Sequence, residues 1–491
     1  MKKQNKILNT LTRIFCVFCC FIFLAGYLYY CLHLFYGNFT FRQFLFHAAA
    51  VWTMNLSWIS VGCVCLLLLL IGFAGIFVLK KPLRWLPFYF SANHLSLLHQ
   101  HPYFLSFITS FFTAAVGIFL LCYSSIYTLP EIYKQFKFVT AIIFHQEKYD
   151  TFFEKHYTEP VSLDFSLGEP KNIIIIFAES LERTFFNQNV FEENLLPRLS
   201  AQNASSFIGY ADQDETNWTQ SGLTAVLCGV TSKLYMPPRP LSKNLQCIPS
   251  VFSKFGYQTY YLQGTDLSFA FTRELLLEHG MQILEDIEDT KAEATDTVYA
   301  VHFINEVQSD SALLGYFKKR IKDLAADKRP FLAVTMTMNT HPYRGHIEKD
   351  CRRKYHDMRD VILCTDEQLN DFVEWFKMQD FASNTTLIIL GDHLMMYSDI
   401  HPYLDLAPHR ETLNLLFGSG APEHNIYKPF YQFDWAPTLL ELAGFKWQNH
   451  QYGLGVSLLS NDKTLREKYG ETGAVRLLNN SKFYETFIKP K

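Results

Sequence analysis

Thr219 opens the run Thr219-Gln-Ser-Gly-Leu-Thr-Ala-Val-Leu-Cys-Gly229, a hydroxyl residue heading a small, apolar, helix-forming stretch that ends in glycine. A hydroxyl at that position suits an alkoxide nucleophile. The unpaired N–H groups and positive dipole end of a helix N-terminus favour an anion, either the alkoxide or a phosphoryl oxygen. Glu179, Asp392 and His393 supply carboxylates and an imidazole. With a hydroxyl they make a mixed oxygen and nitrogen site for a divalent cation such as zinc or manganese. Such an ion would lower the pKa of the threonine hydroxyl and neutralise charge on an attacked phosphoryl group. His341, off the cation, would hold a phosphate oxygen or protonate a leaving alcohol. Each residue also has a plainer reading. Thr219 suits an ordinary N-cap, Glu179 a cap for a helix starting near Leu181, and His341 a turn before Pro342. Asp-His after a strand is also a common loop dipeptide.

What joins these residues is the set of elements that must carry them. Asn172 to Phe177 is a continuous apolar run, the pattern of a strand buried on both faces of a parallel sheet. Tyr257 to Leu262, Phe331 to Met338, Thr385 to Leu390 and Thr412 to Phe417 read the same way. Amphipathic helical stretches lie between them, at Ser311 to Leu324, Cys364 to Phe376 and Asp434 to Leu442. Strands alternating with helices predict an α/β domain with a mainly parallel sheet. Ligands bind beyond the carboxyl ends of such strands. Glu179, His341 and Asp392-His393 each follow a predicted strand, and Thr219 needs only to point the same way. Arg183, His401 and His409 are further candidates for substrate contact, and His279, in Glu-His-Gly, reads as a structural helix end.

The chain has 491 residues, 49% of them apolar and 16% aromatic, too large for one small domain. The apolar residues concentrate near the start. Ile14 to Tyr36, Leu56 to Leu79 and Tyr103 to Tyr127 are each long enough to cross a bilayer as a helix. The first reads as a retained anchor, since a cleaved signal peptide has a shorter apolar core and two further spans follow. The third, with Ser and Thr inside it, also suits a re-entrant or interfacial helix. Lys2, Lys3, Lys6 and Arg13 precede the first span, and Lys80, Lys81 and Arg84 follow the second, whereas Arg42 stands alone between them. The positive-inside bias predicts a cytoplasmic N-terminus and delivers everything after about residue 128 to the far side. Residues 1–127 form the expected membrane region, 128–170 a linker and 171–491 an extracytoplasmic domain. The net charge of −3 is uninformative, and no basic patch points to a nucleic-acid partner.

Most of the eleven cysteines lie in or beside the apolar spans, where they act as small apolar filler. Cys228, Cys247, Cys351 and Cys364 lie outside them as two locally spaced pairs. In a domain expected outside the cytoplasm, these read as two disulfides closing short loops, with four free buried thiols as the alternative.

Several motifs resemble those of membrane-anchored phosphoglycerol transferases, a family that includes the periplasmic-glucan phosphoglycerol transferases and lipoteichoic acid synthases. It belongs to the sulfatase-like branch of the alkaline phosphatase superfamily. They are Glu179-Ser-Leu-Glu-Arg-Thr184, Thr216-Asn-Trp-Thr-Gln-Ser-Gly222 with its continuation to Gly229, and Gly391-Asp-His-Leu-Met-Met396. Leu262 to Phe269, His279-Gly280, Thr340-His-Pro342, the two cysteine pairs and Asp434-Trp-Ala-Pro-Thr438 extend the likeness over roughly residues 170 to 445. The resemblance implies that Glu179, Thr219, Asp392 and His393 bind one divalent metal ion, that Thr219 carries a covalent phospho-head-group, and that His341 contacts the substrate phosphate. It further implies a phospholipid donor, a glycan or lipopolysaccharide acceptor, and a site on the periplasmic side of the bacterial inner membrane. True sulfatases begin this helix with Cys or Ser, then Pro and Arg two and four positions on. Here Ser221 and Leu223 stand there, which speaks against a formylglycine sulfatase. Phosphoethanolamine transferases of lipopolysaccharide share the metal motif. A phosphodiesterase that passes the intermediate to water, or a non-catalytic binding module, would keep the same fold.

Overall fold

The computed structural model describes residues 150–210, 216–232, 241–293, 298–301, 304–396, 398–470 and 481–484. The three expected membrane spans lie outside these residues. Among the described residues, no helix is long and apolar enough to cross a membrane.

Asn172–Ala178 forms strand β1, with every residue buried. Its four consecutive isoleucines are β-branched and stiff, which suits a pleated strand and disfavours a helix. Around it stand β2 (Gln258–Gln263), β3 (Ile283–Glu285), β4 (Phe331–Met336), β5 (Thr385–Gly391) and β6 (Asn414–Gly418). The sheet order is β6-β5-β1-β4-β2-β3. All neighbours run parallel except β6, which pairs antiparallel with β5 at the edge. The five predicted runs are thus all strands, with the last turned against the rest. Short β3 was not legible from the sequence.

Successive side chains of a strand point to opposite faces. Ile173, Ile175 and Phe177 accordingly enter one core, with residues of helices α1 (Thr219–Cys228), α2 (Ile248–Lys254) and α5 (Trp435–Leu442). Ile174, Ile176 and Ala178 enter the other, with α3 (Asp310–Ala326) and α4 (Met358–Lys377). Each isoleucine buried this way stabilises the fold by roughly 1.5–3 kcal/mol. Helix α4 buries Val361, Ile362, Leu369, Phe372, Val373 and Phe376, a stripe at helical spacing. It begins earlier than its apolar period, at Met358, because the Asp357 side chain accepts the Arg359 N–H and caps it there.

Residues just before the sheet also pack on this domain. Phe152 and Phe153, in the short helix Phe152–His156, enter the first core, and Ser166–Leu167 pairs with Phe445–Lys446. Both expected disulfides are formed, Cys228 with Cys247 and Cys351 with Cys364. The first joins the last residue of α1 to the N-cap of α2.

Candidate active site

Register brings the first two acids together. In the parallel pair β1–β5, Ala178 lies opposite Gly391, so the next residues, Glu179 and Asp392, leave the sheet side by side. On the other flank of β1, β4 runs on into Thr337, whose hydroxyl accepts the Glu179 N–H at 3.1 Å. Thr340 then donates its hydroxyl to the Glu179 carbonyl at 2.5 Å. The chain at Glu179 does not enter a helix near Leu181. Ser180 adopts a left-handed φ of 55°, and the next helical turn is the 3-10 segment Arg183–Phe186. Glu179 therefore caps nothing, and its side chain is free for the site.

Thr219 is the first residue of α1, not its cap. The N-cap position belongs to Trp218, in extended conformation and without a side-chain cap bond. The Thr219 hydroxyl instead donates to Glu179 Oε2 at 3.2 Å and lies 3.5 Å from His393 Nε2. Helix α1 comes this close because residue 222 is glycine. A Cβ there would lie 2.2 Å from the Asp392 carbonyl oxygen.

Glu179, Asp392 and His393 are fully buried, and each offers a donor atom within 4.8 Å of the others. His393 Nε2 is 3.4 Å from Glu179 Oε1 and 3.3 Å from Asp392 Oδ2. Its Nδ1 lies 2.8 Å from the Leu394 carbonyl. That contact makes Nδ1 the donor to the carbonyl and turns Nε2 toward the acids, the usual support for a metal-binding imidazole. Asp392 Oδ1 accepts the N–H groups of Ser180 and His393, both at 2.9 Å, while buried Oδ2 has no hydrogen-bond partner.

The electrostatics agree with a cation site. Burial works to raise the Glu179 carboxyl, but the charge and hydrogen bond of His393, then the charge of His341, hold it down. Asp392 is pushed up by burial and by the Glu179 charge. Burial opposes protonation of His393, yet the charges of Asp392 and Glu179 outweigh it and raise its pKa. Two buried acids share one proton-hungry imidazole, a surplus of negative charge that a divalent ion would neutralise. The donor set, hard oxygens with one imidazole and an orphaned Asp392 Oδ2, fits zinc or manganese.

His341 lies in the loop after β4, near enough for its charge to act on Glu179, with its Nδ1 2.7 Å from the Pro342 carbonyl. His401 and His409 have partners on the chain, Asp405 at 3.6 Å and Glu411 at 3.1 Å. Two features were missed from the sequence. Ser180 bridges the two carboxylates, and the buried Glu182 carboxylate takes the Met395 N–H at 2.8 Å together with the Arg410 guanidinium. The ion pair ties the loop after β1 to the loop after His393. A Glu and an Arg far apart in sequence carry no signal of such pairing.

The described domain is thus a doubly wound α/β domain in which a helix-borne hydroxyl faces buried acids and an imidazole beyond the ends of the strands. The sulfatase family model matches residues 171–445, more than half of the chain, and the protein belongs to that family, within the alkaline phosphatase superfamily. Phosphoglycerol transferase I of Xanthomonas axonopodis pv. citri is 29% identical over 319 residues, covering 60% of this chain and 44% of the relative. Phosphoglycerol transferase I of Escherichia fergusonii is 27% identical over 347 residues, covering 66% of this chain and 44% of its own. The chain thus spans less than half the length of these relatives. A solved structure of an alkaline phosphatase superfamily protein from Vibrio parahaemolyticus aligns at 20% identity and a TM-score of 0.49, over 62% of this chain and 72% of that one.

Proposed function

We propose that the protein transfers a phospholipid head group, phosphoglycerol, through a covalent intermediate on Thr219. The observation that carries this reading is the Thr219 hydroxyl, at the N-terminus of α1, 3.2 Å from Glu179 Oε2 and 3.5 Å from His393 Nε2. The names of the curated relatives support phosphoglycerol as the group.

In this reading Glu179, Thr219, Asp392 and His393 hold one divalent ion, zinc or manganese. When bound, it supplies Lewis-acid activation of the threonine oxygen and charge neutralisation at phosphorus. The Thr219 oxygen attacks the phosphodiester phosphorus, giving up its proton. A Thr219 O–P bond forms, the P–O bond to diacylglycerol breaks, and the leaving oxygen takes a proton. His341 steadies a phosphoryl oxygen or gives that proton. An acceptor hydroxyl, on a glycan or lipopolysaccharide, then attacks the same phosphorus and gives up its proton, the Thr219 O–P bond breaks, and the Thr219 oxygen takes a proton back. The N-terminus of α1, the positive end of its helix dipole, suits the charge that develops there. The three apolar segments would hold the domain at the outer face of the inner membrane, raising the effective concentration of a lipid donor. Residues 171–491 would form the catalytic domain, joined to the membrane region by residues 128–170.

The test is intact-protein mass spectrometry after exposure to phospholipid vesicles. Thr219 should gain about 154 Da for phosphoglycerol, against about 123 Da for phosphoethanolamine. Thr219→Ala should fold, carry no adduct and lose turnover. Turnover retained in that variant would remove the nucleophile assignment. Free head group with no acceptor product under any condition would make the protein a phosphodiesterase.

A further inference from the structure

Ser180 stands between the two site carboxylates and occupies one oxygen of each. It is fully buried, and its left-handed φ of 55° is uncommon for a residue with a side chain. That conformation turns its N–H to Asp392 Oδ1, at 2.9 Å, and its hydroxyl to Glu179 Oε1, at 2.7 Å. The His393 N–H takes the same Asp392 Oδ1. On Asp392, Oδ2 alone lacks a hydrogen bond, while on Glu179 the second oxygen, Oε2, accepts the Thr219 hydroxyl.

We infer that Ser180 sets which cation the site prefers, by holding one oxygen of each carboxylate in a hydrogen bond that competes with coordination through both oxygens. The inference rests on the reading of these residues as a metal centre. Glu179 Oε2, Thr219 Oγ1, Asp392 Oδ2 and His393 Nε2 are four single-atom donors, the number a tetrahedral zinc site takes. Cations that favour six or more oxygens gain from carboxylates that bind through both atoms. The Ser180 hydroxyl takes up one lone pair of Glu179 Oε1 and so weakens it for that use. Ser180 is thus a positioning residue that acts through Glu179. Glycine at this position keeps the N–H to Asp392 and adopts a positive φ at no cost, so Ser180→Gly deletes the hydroxyl alone. It would release Oε1 and shift the preference from zinc toward manganese.

The experiment uses the full chain in detergent, stripped of metal. Zinc and manganese affinities are measured separately by competition with a chromophoric chelator, for wild type and S180G. Urea unfolding in excess chelator shows whether the metal-free fold is intact. The ratio of zinc to manganese affinity should fall at least about tenfold in S180G, the scale of a lost metal-supporting contact. S180A makes the same deletion with the Cβ retained and should shift the ratio in the same direction. An unchanged ratio, or equal weakening of both metals, overturns the inference and leaves the metal centre standing. If the wild type takes up neither ion, the metal-centre reading itself fails, and the role of Ser180 falls with it.

Discussion

Gly222→Ala is a small change with opposed consequences whose balance the structure decides. Alanine is a better helix former than glycine by about 1 kcal/mol, which acts to stabilise α1. The new methyl would sit 2.2 Å from the Asp392 carbonyl oxygen and 3.0 Å from its carbonyl carbon. Carbon contacts reach their optimum near ~3.5 Å, so the helix would have to back off by about 1 Å. The atoms in the way belong to backbone and cannot rotate aside. They are also held in place, because Gln432 donates to the carbonyls of Gly391 and Asp392, each at 3.2 Å. Overpacking of this kind costs about 1–3 kcal/mol, which outweighs the propensity gain and leaves a net loss of about 1 kcal/mol. The effect on chemistry is larger. Thr219 lies on the preceding turn and moves with the helix, and a 1 Å misplacement of a reacting group costs about 10²-fold in rate. The assay is head-group release from phospholipid vesicles, with kcat and KM separated, beside urea unfolding of the same preparation. The fall should be in kcat. A G222A protein with unchanged kcat and a raised unfolding midpoint would refute the claim that this contact places Thr219.

Two further changes test the surroundings of the site. Glu182→Gln leaves the Arg410 guanidinium without its counter-ion in a place where only the arginine retains some exposure. The expected loss is about 2–4 kcal/mol by urea unfolding, and replacing both partners with methionine should recover most of it. A loss below about 0.5 kcal/mol would show that the pair does not hold the two loops together. The Asp360 carboxylate, buried at the start of α4, accepts the N–H groups of Lys354, Tyr355 and His356. Burial alone would raise its pKa, but these donors and the His356 charge bring it below the ordinary value. A lowered folded pKa means stability that is complete above about pH 4 and lost as pH falls through the folded value. Asp360→Asn should flatten the acid limb of stability between about pH 5 and 2, and cost about 1–3 kcal/mol at neutral pH by setting an amide against N–H donors. An acid limb of unchanged slope would refute this.

What was legible in the sequence follows from which features are local. The run Asn172–Ala178 reads as a buried strand because its two faces meet two cores, and nothing but uniform apolar sequence satisfies both. Glu179 and Asp392-His393 were legible as candidate site residues because the end of a buried strand marks where a parallel sheet meets solvent and ligand. Thr219 was legible as the head of a helix and as a candidate nucleophile, but whether it was the cap or the first helical residue was not. An N-cap and the first helical residue differ by one place, and Trp218 is an unfavourable cap type that carries no signal. Ser180, Gly222 and the Glu182–Arg410 pair escaped for a different reason. Each acts through a contact with a segment distant in the chain, and a single serine or glycine has no period to betray it.

The pairing of Ala178 with Gly391 also sets an order of assembly. These residues are far apart in the chain, yet the acids that follow them share one site only once β1 and β5 are zipped in register. A slip of one residue would turn one acid to the opposite face. An unfolded or half-folded chain therefore presents isolated carboxylates with no grip on an ion. A complete donor set appears only when the central sheet has closed around β1. Occupancy of the site would thus report that this non-local pairing is complete. A chain stalled before that step would leave the Thr219 hydroxyl without Glu179 and His393 beside it.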